Sequence, residues 1–258
     1  MRKFKLIKGT GESAEEYNLQ SFDHFLNVPT GLGFDIEYNV LRSGESFVTA
    51  DQHQSQKQID GEMVFSSYQK YVEFIDFIGD NENLTLAYAP DDDWSYIPVK
   101  VASLSKGEIE TNRALICAVT FLAFGTWYNV LKFTGSQSYT INNTSKFPAP
   151  FRLKVRAQGS LNYVYWQATS ATGAEIYGSG SVSDAIHPIQ SGQVFVVSSV
   201  PEDLQISVYN YDGGDRIRNM YQQSNSDLER FFNLPTGISI FNCSNNCELE
   251  VIQYAYSV

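Results

Sequence analysis

The stretch YQKYVEFIDFI, residues 68–78, decides how the first part of the chain folds. Its apolar side chains recur on one helical face, whereas the sequence on either side alternates apolar and polar residues. Ser66 and Gln69 stand at capping-box spacing, and Gly79 follows as a stop signal. The sequence therefore predicts one helix over residues 66–79 in a chain of strands.

Strands are predicted on both sides of this helix. Residues 3–8 and 34–40 alternate before it, and residues 84–88, 97–101 and 115–121 alternate after it. A single helix among such strands predicts an α+β domain, in which the helix packs on a mostly antiparallel sheet.

Two segments interrupt the strand pattern of the first half. Residues 28–33 contain Pro29, Gly31 and Gly33 and predict a turn. Residues 42–60 are polar around a small apolar patch, Phe47 and Val48, which predicts a protruding hairpin or a mobile loop.

The composition changes again at residues 134–150, which are polar and punctuated by proline. We therefore expect two domains, at residues 1–134 and 135–258. In the second domain, short apolar runs are separated by turn signals such as residues 178–180 and 212–215, which predicts a β-sandwich or barrel. The fold class expected for the whole chain is mainly β.

The charge balance argues against a nucleic-acid binder. The chain has 18 basic and 29 acidic residues, a formal net charge of −11, so it is a poor match for a phosphate backbone. No apolar run reaches the roughly 18 residues of a membrane helix, and the cationic start lacks the apolar segment of a secretory signal.

No motif in the sequence points to catalysis, a cofactor or a metal. His24, His53 and His187 stand far apart, and Asp91–Asp93 lacks the remaining positions of a calcium loop. The three cysteines are an odd number, and a bridge between Cys243 and Cys247 stays open. We therefore expect no enzyme activity and no cofactor, with a glycan hydrolase as a minor alternative.

A group of aromatic residues in the second half has two interpretations. Tyr163, Tyr165, Trp166 and Tyr177 either fill a sandwich core or form a platform for sugar rings. A carbohydrate-binding β-sandwich module is therefore the alternative function.

Several stretches of the chain resemble the distal tail proteins (Dit) of siphophages, the baseplate hubs of phages that infect Gram-positive bacteria. They are the start at residues 1–11, the turn NVPTGLGF at residues 27–34, the helix with its flanking strands, and FFNLPTG at residues 231–237. In such proteins the first domain ends near a Trp-Tyr pair, which is Trp127–Tyr128 here.

The resemblance implies a structural hub of the phage tail tip. The N-terminal domain would form a homohexameric ring, single or stacked, around a channel through which DNA passes without specific binding. The ring would join the tail tube protein to the tail-tip protein and anchor receptor-binding or other baseplate proteins for host adhesion. The C-terminal domain would be a galectin-like β-sandwich. The protein would assemble in the host cytoplasm and reside in the virion, without membrane contact.

The resemblance also gives the polar segment at residues 42–60 a role. It would be an arm that embraces a neighbouring copy, burying Phe47 and Val48 at a heterologous interface that closes the ring. The galectin likeness does not extend to sugar binding, because neither His187 nor Trp166 stands in a galectin sugar motif.

Overall fold

The computed structural model describes residues 2–9, 14–33, 36–43, 46–54, 56–79, 83–109, 114–225 and 231–255. It is 62% strand and 6% helix, which confirms the mainly β class. The elements are β1 (Lys3–Lys8), β2 (Glu15–Asn18), β3 (His24–Thr30), β4 (Ile36–Ser43), β5 (Ser46–Gln54), β6 (Gln58–Phe65), α1 (Tyr68–Ile78), β7 (Leu84–Ala89), β8 (Ser95–Ile109), β9 (Leu115–Ala123), β10 (Trp127–Asn143), β11 (Phe151–Arg156), β12 (Tyr163–Ser170), β13 (Ile176–Ser183), β14 (Val194–Ser198), β15 (Gln205–Tyr209), β16 (Arg216–Asn219), β17 (Ser224–Asn225) and β18 (Gly237–Ala255), with one 3₁₀ turn at Pro201–Asp203.

The chain divides into two compact units. The first consists of residues 1–128 and 255–258, and the second is Asn129–Tyr254. The division follows directly after the Trp127–Tyr128 pair. Residues 134–138, where the polar composition suggested a border, lie inside strand β10. Residues 226–230, whose sequence Ser-Asp-Leu-Glu-Arg predicts one helical turn, lie outside the described residues.

The first unit is an antiparallel sheet in the order β2-β1-β7-β8-β9-β6-β3. Strand β8 is long enough to pair with β7 at its start and with β9 further along. Leu19, which follows β2, connects the two ends of this sheet order through backbone hydrogen bonds to β1 and β3. Its N–H donates to the Phe4 carbonyl and its carbonyl accepts from the Leu26 N–H, each at 2.9 Å. One buried residue thus links the first strand to the third.

Helix α1 covers the core of this unit. Its buried residues are Phe74 and Ile78, and the Phe74 ring lies 5.6 Å from that of Phe65 on β6. The inward residues of the strands complete the core, because alternate side chains of a strand point to the same face. The bulkiest fully buried ones include Trp127, Phe65 and Phe121.

The helix starts one residue later than the capping-box spacing predicts. Ser67, with extended backbone, is the N-cap, and its hydroxyl accepts from the Lys70 N–H at 3.4 Å. Gly79 ends the helix as predicted, and its N–H donates to the Ile75 carbonyl at 2.9 Å. Ser66 instead donates its backbone N–H to the Asp23 carbonyl.

Replacing Ser67 by alanine should therefore destabilise the protein, and replacing Ser66 should not. Loss of an N-cap hydroxyl costs about 1 kcal/mol, because a helix N–H loses its acceptor. Thermal or urea unfolding of Ser67→Ala and Ser66→Ala measures the difference. Equal stability of the two variants would contradict the assignment of the cap.

The segment at residues 28–33, predicted as a turn, is in part a strand. Strand β3 runs to Thr30, and its register with β6 shifts between Asn27 and Thr30. Val28 has a φ of 44° there, so the irregularity is a bulge, which tolerates Pro29 without a ladder hydrogen bond. The turn begins only at Gly31, whose φ is 81°.

The second unit is organised around strand β18. Residues Ser239–Cys243 of this strand pair with β12, and Glu248–Val251 pair with β11. Strands β13 and β17 continue from β12, while β14, β15 and β16 continue from β11. One core lies between the two groups. Its large rings are Phe151, Trp166, Phe195, Phe232 and Phe241.

The Gly178-Ser179-Gly180 segment, predicted as a turn, lies within strand β13. Gly178 and Gly180 occupy buried, inward positions of the strand. A Cβ atom on Gly180 would overlap the Trp166 ring, and one on Gly178 would overlap the Phe232 ring. Each glycine therefore leaves space on the inner face of β13, and the rings of Trp166 and Phe232 occupy that space.

Replacing Gly180 by alanine should lower the stability of the second unit. The added methyl group has no space beside Trp166, and overpacking of this kind costs about 1–3 kcal/mol. Gly159→Ala is the matched control, because a Cβ atom there meets nothing within 4 Å. Unfolding curves of both variants test this, and a Gly180→Ala protein as stable as Gly159→Ala would refute it.

Candidate assembly surfaces

Strands β4 and β5 form a hairpin that contains the two residues predicted for an oligomer interface. The strands make a two-stranded sheet of their own, in which Val48 pairs with Leu41 and Phe47 pairs with Arg42. The segment is therefore a hairpin, one of the two predicted forms. Within the described residues, neither strand pairs with a third one, so the outer edge of each faces no backbone partner.

Leu41 is a member of this surface that the sequence pattern did not indicate. It lies across the hairpin from Val48 and is 64% exposed. The register shift beside it comes from one extra residue on β5, Ala50, so β4 itself continues to alternate past Asn39. An exposed leucine on a two-stranded ribbon is a candidate contact for another protein surface.

A second surface concentrates positive charge on the first unit. Residues 1–128 hold 19 acidic and 10 basic residues, a net charge of −9. Arg2, Lys3 and Lys5 nevertheless line one groove of about 540 Å³ together with Trp94. The Lys5 ammonium lies 2.7 Å from Glu16 Oε1 and 4.6 Å from the Trp94 ring centroid. A cationic groove with an aromatic wall suits an acidic surface of a partner.

The aromatic residues considered as a sugar platform do not act together. Trp166 is fully buried, and its ring lies 6.0 Å from that of Phe195 in the core. Tyr163 and Tyr165 point away from the core and line a shallow pocket of about 190 Å³ with Ser181 and Asn225. Typical ligand pockets measure roughly 300–1,000 Å³. A sugar platform that includes Trp166 is therefore wrong.

The basic residues of strand β11 are engaged in ion pairs. Arg152 contacts Asp203 at 2.7 Å and Glu250 at 3.4 Å, and Lys154 contacts Asp212 at 2.9 Å. Alternate cations on a strand would otherwise form a basic stripe that could bind phosphates. Their pairing with carboxylates leaves this face without the excess of positive charge that nucleic acids require.

His24 and His187 contact neighbouring groups of their own segments. His24 Nε2 lies 2.8 Å from the Asn18 carbonyl, and His187 lies 3.9 Å from Asp184 in an exposed loop. Among the residues that the structure describes, no group of three His, Cys, Asp or Glu side chains could hold a metal ion. Over the same residues, no helix is long and apolar enough to cross a membrane.

The half-buried Tyr17 has a raised pKa with a structural cause. Burial, aided by the nearby Glu73 carboxylate, raises the pKa of Tyr17 to about 12. The Tyr17 ring packs between His24 and the helix residues Phe74 and Phe77, with ring centroids 4.6, 5.3 and 5.1 Å away. Its neutral phenol thus belongs to the contact between helix and sheet.

Residues 3–124 match the family model of the distal tail protein N-terminal domain. The match covers 122 of the 258 residues, just under half of the chain, and identifies this segment as similar to that domain. The match ends just before the Trp127–Tyr128 pair. No curated protein matches the sequence at a significant level.

Solved structures from phages share the fold over the whole chain. A chain of the phage P2 baseplate in its activated conformation with calcium has a TM-score of 0.74 at 15% identity, covering 100% of both chains. The SPP1 Dit protein, described as a paradigm of hub adsorption apparatus in Gram-positive infecting phages, has a TM-score of 0.61 at 11% identity. This likeness covers 97% of the present chain and 98% of the SPP1 protein. At 11–15% identity, these likenesses show a shared fold.

Proposed function

We propose that this protein is a distal tail protein that forms a homohexameric ring, single or stacked, and acts as the hub of a siphophage tail tip. The match of residues 3–124 to the family domain carries the proposal. In this role the ring joins the tail tube protein to the tail-tip protein. It also anchors receptor-binding or other baseplate proteins at the virion surface, and it has no catalytic task.

The hairpin β4–β5 supports the ring, because it offers what a heterologous contact needs. Two copies related by a ring rotation use different surfaces, one as donor and the other as receptor. A ribbon with the exposed Leu41, opposite Val48, is a donor that a neighbouring copy would cover. In this proposal Phe47 and Val48 become buried only in the assembly.

The charge distribution supports the same assembly and its channel. An acidic unit with one cationic groove, lined by Arg2, Lys3 and Lys5, is electrostatically complementary to another copy of itself. The acidic surplus elsewhere would keep phosphate contacts few, so DNA would pass through the channel without being retained.

The first test is the mass of the purified full-length protein in solution. Six copies of the 29.0 kDa chain have a mass of 6 × 29.0 = 174 kDa, and stacked rings have twice that mass. Light scattering behind a sizing column should give one of these two values. Stable dimers or trimers over the whole concentration range would contradict the hexamer.

Charged residues at the hairpin tip should prevent the ring from closing. In the double variant Phe47→Glu, Val48→Glu, two carboxylates would have to be buried at the interface, which is costly without partners. We expect loss of the hexamer with unchanged unfolding of the monomer. Ser46→Glu is the matched control, because Ser46 is exposed on the same strand. A double variant that assembles like Ser46→Glu would exclude the hairpin contact.

A further inference from the structure

Strand β18 changes its pairing partner at a corner that lies between two cysteines. Cys243 is the last residue that pairs with β12, opposite Trp166, and Glu248 is the first that pairs with β11. Cys243 and Cys247 flank Ser244-Asn245-Asn246, where the burial of the strand is interrupted. Both cysteines are 3% exposed and belong to the same core. Both cysteines therefore face the core of the unit, on either side of the change of pairing partner.

The two thiols are reduced and in direct contact. Both are free cysteines, and their side chains hydrogen-bond to each other. Two groups of strand β10 contact Cys247. Cys247 Sγ lies 3.5 Å from the Ser136 carbonyl, and the Tyr139 hydroxyl donates to the Cys247 carbonyl at 2.6 Å. Two sulfur atoms at hydrogen-bond distance need to move only about 1–2 Å to reach the length of a disulfide bond.

The two sulfur atoms are chemically different. The hydrogen bond from Cys247 lowers the pKa of Cys243, assisted by the backbone N–H groups of Asn245 and Ser244, although burial opposes this. The same hydrogen bond and burial raise the pKa of Cys247. The thiolate is the nucleophile in disulfide exchange, so Cys243 attacks first and Cys247 follows once a local opening of the unit exposes the two buried thiols.

We propose that Cys243 and Cys247 are an oxidation site that closes into an intramolecular disulfide when the protein meets a small-molecule disulfide. The Cys243 thiolate attacks one sulfur of the reagent, a mixed disulfide forms, and one thiol leaves. The Cys247 sulfur then displaces the second thiol from Cys243. One reagent disulfide is reduced to two thiols, which take the two cysteine protons, and the cysteine pair is oxidised by two electrons.

Oxidation would fasten the corner of β18. A disulfide across residues 243–247 would hold together the end of the pairing with β12 and the start of the pairing with β11. Reducing cell interiors keep such pairs as thiols, whereas the surroundings of a released particle do not. The inference uses only the contacts of the second unit and does not rest on the proposed ring.

The test uses the full-length protein and oxidised glutathione. After oxidation, the protein is unfolded and its free thiols are alkylated with N-ethylmaleimide. We expect one label per chain, on Cys117, instead of three. Trypsin cleaves after Arg230 and leaves both cysteines in the peptide of residues 231–258, which contains no further Lys or Arg. This peptide should weigh about 2 Da less than its reduced form, because two hydrogens are lost.

Single variants distinguish the two steps of the exchange. Cys247→Ser should retain glutathione on Cys243 as a mixed disulfide, because no second thiol displaces it. Cys117→Ser is the control and should form the bridge as the unmodified chain does. Three labels on the oxidised protein, a persistent mixed disulfide in the unmodified chain, or disulfide-linked dimers would each overturn the proposal.

Discussion

The second unit depends on one strand that pairs with two different neighbours in turn. Strand β18 pairs with β12 up to Cys243 and with β11 from Glu248. Strands β13 and β17 connect through β12, strands β14 to β16 connect through β11, and β10 pairs with β18 directly. The corner between them sets the direction of both groups and therefore the space in which Trp166 and Phe241 pack. Stability of the unit and the position of its surface loops both follow from this change of partner.

Much of the fold follows from the period of apolar residues. Helix α1 and the strands around it lie where the alternation places them, because an amphipathic segment has one stable way to bury its apolar face. The misjudged segments share a physical cause. Gly178 and Gly180 suggest a turn when only the conformational freedom of their backbone is considered. In the structure, their lack of a side chain makes room for the rings of Phe232 and Trp166. The bulge after Asn27 on β3 and the extra residue Ala50 on β5 are invisible to a pattern that assumes strict alternation.

The candidate surfaces were harder to predict than the fold. A polar segment with two apolar residues indicated a hairpin, but the pairing of Leu41 with Val48 and its exposure are seen only in the structure. The cationic groove joins Trp94 to Arg2, Lys3 and Lys5, and only the pairing of β1, β7 and β8 brings these residues together. The absence of a catalytic motif carries little information, since hubs and many binding proteins share it. The match of residues 3–124 to the family domain therefore carries the proposed functional class.

Within the part of the chain that the structure describes, the outer edges of β4 and β5 pair with no third strand, and this has a consequence for the assembly of the proposed hub. A strand edge with unpaired N–H and C=O groups is a template for any other extended chain, and a heterologous contact that fails to close grows into a fibre. In the proposed hub, a copy outside the ring would carry this template exposed. Rapid ring closure would then serve as protection against aggregation, and copies left over from tail assembly would be the ones at risk.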